Sequence, residues 1–410
     1  MAYSKEVLAM IMAGGRGERL YPLTLERSKP SVCFGGKYRI IDFVLSNFVN
    51  SGIYSMYVLV QYKSQSLIEH IRTNWRRQGM TARHFITVVP PQMRTEGQDW
   101  YRGTADSTYQ NINLIYDFNP KIVAVFGADH IYRMNIKEVV DFHLAKKADL
   151  TIATIPVLLK DSQRFGILEK DKSMRITHFR EKPKDLHLNN KSNKFLASMG
   201  NYIFNTDVLI KAIEEDNKDK NSSHDFGKDV IPRIINSRAK VFAYDFSKNH
   251  IPSLKKYEDR TYWRDVGNIE NFFQCNMDLL GRYPKLDLNN DDWPIHASSL
   301  DRPPSQINNS QIINSLICEG CRLDGTRIKN SIIGRGVILE ENVEVEDSIV
   351  MDFCHVKKGA KIKNSVIDRF NTIMANTRIG FNPKEDKASY FLDDSGIVVI
   401  KRGPRQLLSY

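Results

Sequence analysis

Between Glu6 and about residue 157, apolar runs of strand length take turns with amphipathic stretches, and no other feature constrains the fold as tightly. "EVLAMIM" (6–12) is apolar after its first residue. "RIIDFVLSNFVNSGI" (39–53) spaces its apolar residues as a helix does and stops at Gly52. "YSMYVLVQY", "HFITVVPP", "KIVAVFGADH" and "DLTIATIPV" read as further strands, with "SLIEHIRTNW", "ADSTYQNINLIYDF" and "NIKEVVDFHLAKKA" as the helices between them. This alternation predicts a Rossmann-like, doubly wound α/β domain with a mostly parallel sheet. Such sheets bind ligands beyond the carboxyl ends of their strands. The glycine-rich loop after the first strand and Asp129 after "KIVAVFGA" both stand at such ends. From about 160 to 270 short strands ("FGILEK", "RITHFREK", "SMGNYIF") mix with helices, which reads as the second half of the same domain, covering the pocket.

The loop, "IMAGGRGERLYPLT" (11–24), is built to meet phosphate. Glycines let backbone N–H groups approach phosphate oxygens, and Arg19 and Lys29 add cations that can clamp developing charge. It is not a Walker A loop, because G-x-x-x-x-G-K-[ST] is absent. It also departs from the dinucleotide fingerprint, since Leu20 holds the third glycine position after Gly15 and Gly17; an NAD-binding oxidoreductase is disfavoured accordingly.

Residues 281–310 are rich in Pro, Asp and Asn and read as a linker between a domain over 1–280 and another over 311–410. In the second domain Val337, Val343 and Ile349 step by six, as do Val356 and Ile362, and Ile373 and Ile379, with Gly334, Gly336, Gly359 and Gly380 as punctuation. A six-residue period with small turn residues predicts a parallel β-helix; the alternative is a β-sandwich with coincidental spacing. "CEGC" (318–321) falls inside this period and reads as two coil positions, with no second Cys pair at zinc spacing.

The 410 residues are 41% hydrophobic and 26% charged, with no apolar run long enough to span a bilayer. The N-terminus reads as a first strand, not a signal peptide. Five scattered cysteines fit a reducing cytoplasm better than a disulfide framework. The net charge of +11 is spread along the chain without a basic run, so phosphorylated small molecules fit better than nucleic acid.

Taken with its surroundings, the loop string Gly15-x-Gly17-x-Arg19-x-x-Pro22-Leu23-Thr24, followed by Lys29-Pro30, resembles the signature of the sugar-nucleotide pyrophosphorylases. "FGGKYRIIDFVLSN", "WYRGTADS", "FGADHIY", "FREKP", "LASMGNYIF", "SSHDFGKDVIP" and "YWRDVG" extend the resemblance over nearly the full length, to the bacterial glucose-1-phosphate adenylyltransferase branch. The resemblance implies a left-handed β-helix tail, a homotetramer, and transfer of an adenylyl group from ATP to glucose 1-phosphate for α-glucan synthesis. It implies Arg19, Lys29 and Asp129 as catalytic residues and Asp129 with Asp265 as holders of Mg²⁺, a cation that prefers oxygen ligands. Gly14, Gly15, Arg16, Gly17, Gln92, Tyr101, Gly103 and Thr104 would line the nucleotide pocket. Tyr101, Gly166, Glu181, Lys182 and Ser198 would meet glucose 1-phosphate. His130 reads as structural, a neighbour of a metal aspartate.

Lys37, Arg39 and Arg402 lie outside that set, and the resemblance gives them to sites for phosphorylated effectors, sugar phosphates activating and AMP inhibiting. Two alternatives remain open: a pyrophosphorylase for UTP, dTTP or CTP and another sugar phosphate, and a non-catalytic regulatory subunit. Paralogues of the second kind tend to lose the loop cations or metal aspartates, all of which are present here.

Overall fold

The computed structural model describes residues 6–75, 84–92, 100–184, 194–297 and 302–405. Four strands form the parallel heart of a nine-stranded sheet, in the order Phe85–Val89, Ser55–Val60, Val7–Ala13, Ile122–Gly127. Val7–Ala13 is almost wholly buried, as a strand covered on both faces must be. The chain adds two strands to one side of Val7–Ala13 and then crosses to the other, leaving a topological switch point at the carboxyl ends of Val7–Ala13 and Ile122–Gly127.

Beyond Ile122–Gly127 the sheet is mixed, not the parallel continuation that the alternation suggested. Lys194–Asn205 runs antiparallel to Ile122–Gly127 and to Leu150–Leu158, and Val241–Asp245 then pairs parallel with Leu150–Leu158. A parallel return needs a crossover of a dozen or more residues, usually a helix. Between Leu158 and Lys194 the described chain offers only the four-residue helix Leu159–Ser162 and the hairpin Gly166–Lys170/Ile176–Glu181, which extends the sheet. Where Lys194–Asn205 passes the switch point its register shifts between Ser198 and Tyr202, and Gly200 adopts φ +73°. The stretch read as one helix over 105–118 is two, Thr104–Tyr109 and Ile112–Phe118.

The C-terminal part is a parallel β-helix. Gln306 pairs with Arg322, Arg322 with Ile338, Ile338 with His355 and His355 with Thr372. Two further stacks run beside this one, through Ile312–Ile328–Val345–Ile362–Ile379 and Leu316–Ile332–Ile349–Val366. Three short strands, one from each stack, close a coil of 16 or 17 residues, slightly fewer than three full six-residue steps, and the periodic aliphatic residues fill its interior. Cys321 is buried there with its thiol on the Gly334 carbonyl, and Cys318 Sγ packs at Gly36, so "CEGC" supplies coil positions.

The two parts share a core. Leu20, Phe34, Phe43 and Phe272 from the sheet domain pack with Ile332, Ile349, Val366 and Val399 from the β-helix. The segment read as a linker is largely a packed strap: Leu286, Trp293 and Ile295 are buried, and His296 N–H donates to Ser46 Oγ at 2.8 Å. Its aromatic and aliphatic residues override the Pro/Asp/Asn composition, and the first coil begins within it, at Gln306.

Candidate active site

The switch point brings two chain segments side by side. Met12 pairs with Gly127, and Ala128 N–H donates to the Met12 carbonyl at 3.1 Å, so the glycine loop and Asp129 leave adjacent strand ends together. The loop turns through Gly17 at φ +65°, where a Cβ would sit 2.9 Å from the Cβ of Lys29. Thr24 Oγ1 donates to the Gly17 carbonyl at 2.9 Å and fixes that turn.

Asp265 arrives from more than a hundred residues away because Trp263–Asp265 pairs antiparallel with His130–Tyr132, setting Asp265 opposite His130. Lys29 Nζ lies between the two carboxylates, 2.8 Å from Asp129 Oδ2 and 3.3 Å from Asp265 Oδ1. Burial disfavours its ammonium, but the two carboxylates outweigh that and raise its pKa. Burial alone would likewise raise the Asp129 carboxyl; Lys29 and His130 reverse this and hold it below the usual carboxylate range. The second oxygen of Asp265 accepts from Arg164 Nη2 at 3.1 Å.

Asp129, His130 and Asp265 each offer one ligand atom, all within 4.8 Å of one another, the only such group among the described residues. The carboxylates already hold one cation, the Lys29 ammonium, and two carboxylate oxygens suit Mg²⁺ better than the ring nitrogen does. His130 Nδ1 is buried, makes no hydrogen bond and lies 3.5 Å from Asp129 Oδ1. The donor set therefore fits a hard divalent cation on Asp129 and Asp265.

Two cavities, each of about 500 Å³, open on either side of Asp129. One is lined by Gly14, Gly15, Arg16, Lys29, Gln61 and Tyr101. The other is lined by Arg19, Arg164, Gly166, Glu181, Lys182 and Ser198. Met12, Thr104, Gly127, Asp129 and Asp225 line both. In the second cavity burial raises the Glu181 carboxyl, with Lys182 opposing. Lys182 holds φ +43°, donates its N–H to the Phe165 carbonyl at 3.1 Å and leaves its ammonium exposed, 3.5 Å from Glu181. Two chambers meeting at a carboxylate pair and a lysine can hold two phosphate-bearing molecules with their phosphates in contact.

The nucleotidyl transferase family pattern matches residues 8–282, and a GlmU-like C-terminal hexapeptide pattern matches residues 303–400. A glucose-1-phosphate adenylyltransferase of Thermodesulfovibrio yellowstonii is 49% identical over 401 residues, covering 98% of this chain and 97% of its own. Those of Thermus thermophilus and Aliivibrio fischeri are 46% and 44% identical, over 98% and 97% of this chain and 99% and 98% of their own. The chain belongs to the glucose-1-phosphate adenylyltransferase family.

Not every residue that this family resemblance picked out lies where it was expected. Tyr101 lines the glycine-loop cavity, its hydroxyl accepting from Asn111 Nδ2 at 2.9 Å, and is not among the residues lining the Glu181 cavity. Arg19 lines the Glu181 cavity rather than the loop cavity. Gln92 is exposed just past the strand Phe85–Val89 and lines neither; Gln61, on the loop after Ser55–Val60, lines the cavity instead. Gly17 shapes the loop without lining either cavity. Arg39, expected as an effector cation, is buried, with Nη1 donating to the Ser31 carbonyl at 2.9 Å and to Ser66 Oγ at 2.8 Å. Burial lowers its pKa to about 10. Lys37 is half-buried in the turn between Cys33–Phe34 and Tyr38–Arg39, and Arg402 pairs with Glu26 at 2.9 Å. Arg164, Asp225 and Gly227 were not singled out. Each is adjacent or close to a residue or motif that was, but nothing in composition or spacing marks it as facing a cavity.

Proposed function

We propose that the chain transfers the adenylyl group of ATP to α-D-glucose 1-phosphate, forming ADP-glucose for glycogen-type α-glucan synthesis and releasing diphosphate. The pair of cavities meeting at Asp129 carries this reading, because the reaction joins two phosphate-bearing substrates. ATP takes the glycine-loop side, where loop amides at Gly14 and Gly15 and the Arg16 guanidinium meet its phosphates. Glucose 1-phosphate takes the other side, with Glu181 accepting from sugar hydroxyls and Lys182 and Arg19 near its phosphate. A phosphate oxygen of the sugar attacks the α-phosphorus; the new P–O bond forms as the bond from that phosphorus to the bridging oxygen breaks, and diphosphate leaves with the electron pair. Lys29 stands beside that spot and offsets charge on the reacting phosphates. Mg²⁺ on Asp129 and Asp265 would, when bound, neutralise phosphate charge and polarise the phosphoryl oxygens.

The same reading extends to regulation, assembly and location. Phosphorylated effectors, sugar phosphates activating and AMP inhibiting, bind at the seam between the domains. Supporting this, Gly36 next to Lys37 abuts Ile332, and there Arg27 Nε and Nη1 and Arg335 Nη1 are buried without a hydrogen bond, although each guanidinium pairs with an aspartate through another nitrogen. A homotetramer is supported by Ile307 and Ile313, exposed on the first coil. Five unpaired cysteines support a reducing cytoplasm. The deciding experiment is diphosphate release by the purified chain with glucose 1-phosphate and Mg²⁺, comparing ATP, UTP, dTTP, CTP and GTP. Release with ATP alone supports the proposal; release with another nucleotide, or none at all, overturns it.

A further inference from the structure

Thr104 stands on the wall that the two cavities share, at the start of the helix Thr104–Tyr109. Its hydroxyl is already engaged. Oγ1 donates to Asp225 Oδ2 at 2.9 Å and accepts from Phe226 N–H at 3.0 Å. The other Asp225 oxygen, Oδ1, accepts from Gly227 N–H at 2.9 Å and Lys228 N–H at 3.1 Å, so the carboxylate ties Thr104 to the turn that follows. That turn abuts the sugar-side acceptor: a Cβ on Gly227 would lie 2.6 Å from Glu181 Oε2.

The two segments are clamped from the opposite end as well. A Cβ on Gly103 would overlap the His224 carbonyl, which also accepts from Ala105 N–H at 2.9 Å. His224 holds φ +55°, and its Nδ1 lies 2.9 Å from Asp216 Oδ2. Residues 103–105 and 224–227 therefore shift together or not at all. Gly103 lines the glycine-loop cavity, and Gly227 lines the Glu181 cavity.

We infer that Thr104 is a positioning residue that couples the two cavities. A nucleotide seated against Gly103 and Thr104 sets Asp225 and Gly227, and through them Glu181, in place for the sugar phosphate. Such coupling is reciprocal, so the sugar phosphate tightens nucleotide binding by the same factor. The inference rests on the proposed function and adds to it that the Thr104 hydroxyl serves the sugar side and not the nucleotide.

The test is calorimetric binding of glucose 1-phosphate with and without the unreactive α,β-methylene analogue of ATP, in the wild type and in Thr104→Val and Thr104→Ser. In the wild type the analogue tightens sugar-phosphate binding. In Thr104→Val that enhancement falls by about five- to thirty-fold, the worth of one or two buried hydrogen bonds to a charged group. Thr104→Ser, which keeps the hydroxyl, restores the enhancement. Should the valine variant melt early, comparing Thr104→Ala with Thr104→Ser carries the same test. Full enhancement in the valine or alanine variant overturns the inference, as does a loss confined to the analogue's own affinity. A wild type that binds both ligands without mutual enhancement overturns the inference alone; one that binds neither overturns the proposed function with it.

Discussion

Glu181 owes its position to two side chains that are absent. A Cβ on Gly166 would come 2.8 Å from Glu181 Oε2, and one on Gly227 2.6 Å from the same oxygen, so the carboxylate lies in a slot between two glycines. At Gly227 the clashing atom is the end of a flexible side chain, which can swing away at little cost to the fold but not to sugar binding, whereas at Gly166 the Phe179 ring is closer still. Gly227→Ala is expected to raise KM for glucose 1-phosphate about tenfold while leaving the melting temperature near that of the wild type. An unchanged KM would show that Glu181 does not touch the sugar. His143 shows the opposite case, a titratable residue serving only the fold. Its Nδ1 lies 2.9 Å from Thr151 Oγ1 and its Nε2 3.1 Å from Asn205 Oδ1, and burial lowers its pKa from the ordinary 6.5 with Asn205 opposing. Below pH 6.5 the unfolded chain binds this proton and the native state resists it. Stability from His143 is thus complete above the ordinary histidine range and lost as the pH falls through it. His143→Gln should flatten the fall in melting temperature between about pH 7 and pH 5; a slope as steep as the wild type's would assign the acid sensitivity elsewhere.

Within the β-helix, the six-residue period was legible because aliphatic residues recur on the inward face. The polar ladders that turn its corners were not. Asn314, Asn330, Asp347 and Asn364 all sit at positive φ, the conformation that Asn and Asp tolerate best among side-chain-bearing residues. Beside them Ser331 N–H donates to Ser315 Oγ, Ser348 N–H to Ser331 Oγ and Ser365 N–H to Ser348 Oγ, each near 3.1 or 3.2 Å. Repeats of 16 or 17 residues bring these serines into stack, a spacing that only the closed coil reveals. Ser348→Ala strips the acceptor from a buried N–H and is expected to destabilise by about 1–3 kcal/mol, measured by urea unfolding. A change under about 0.5 kcal/mol would mean that the ladder adds nothing beyond the aliphatic stacks.

At the scale of the whole molecule, the seam between the domains holds a buried ion pair, Arg27 Nη2 to Asp368 at 2.7 Å, with both side chains nearly inaccessible. Removing one partner leaves the other charged and buried. Arg27→Ala is expected to cost about 3–5 kcal/mol, and Arg27→Met combined with Asp368→Asn to recover most of it, both measured by thermal melting. Equal loss in the double variant would show that the pair itself, and not the uncompensated charge, dominates. Sequence reading took residues 281–310 for a linker between two domains and gave no sign of the seam. The buried Trp293 and Ile295 and the apolar cluster spanning Phe34, Phe272, Ile332 and Val366 make the catalytic domain and the β-helix one packed unit.

Local pattern alone determined the parallel strands through Ile122–Gly127, the glycine loop at their switch point, Asp129 at a strand end and the coil period. Each depends on contacts within a few residues or on a repeat, which a linear string records directly. Asp265 beside Asp129, Lys29 between the two carboxylates, Arg164 behind Asp265 and Thr104 against Asp225 depended on the tertiary structure. Those pairs join segments roughly a hundred residues or more apart. Their meeting is set by an antiparallel register and by close packing at glycines, and neither leaves a periodic trace in the sequence.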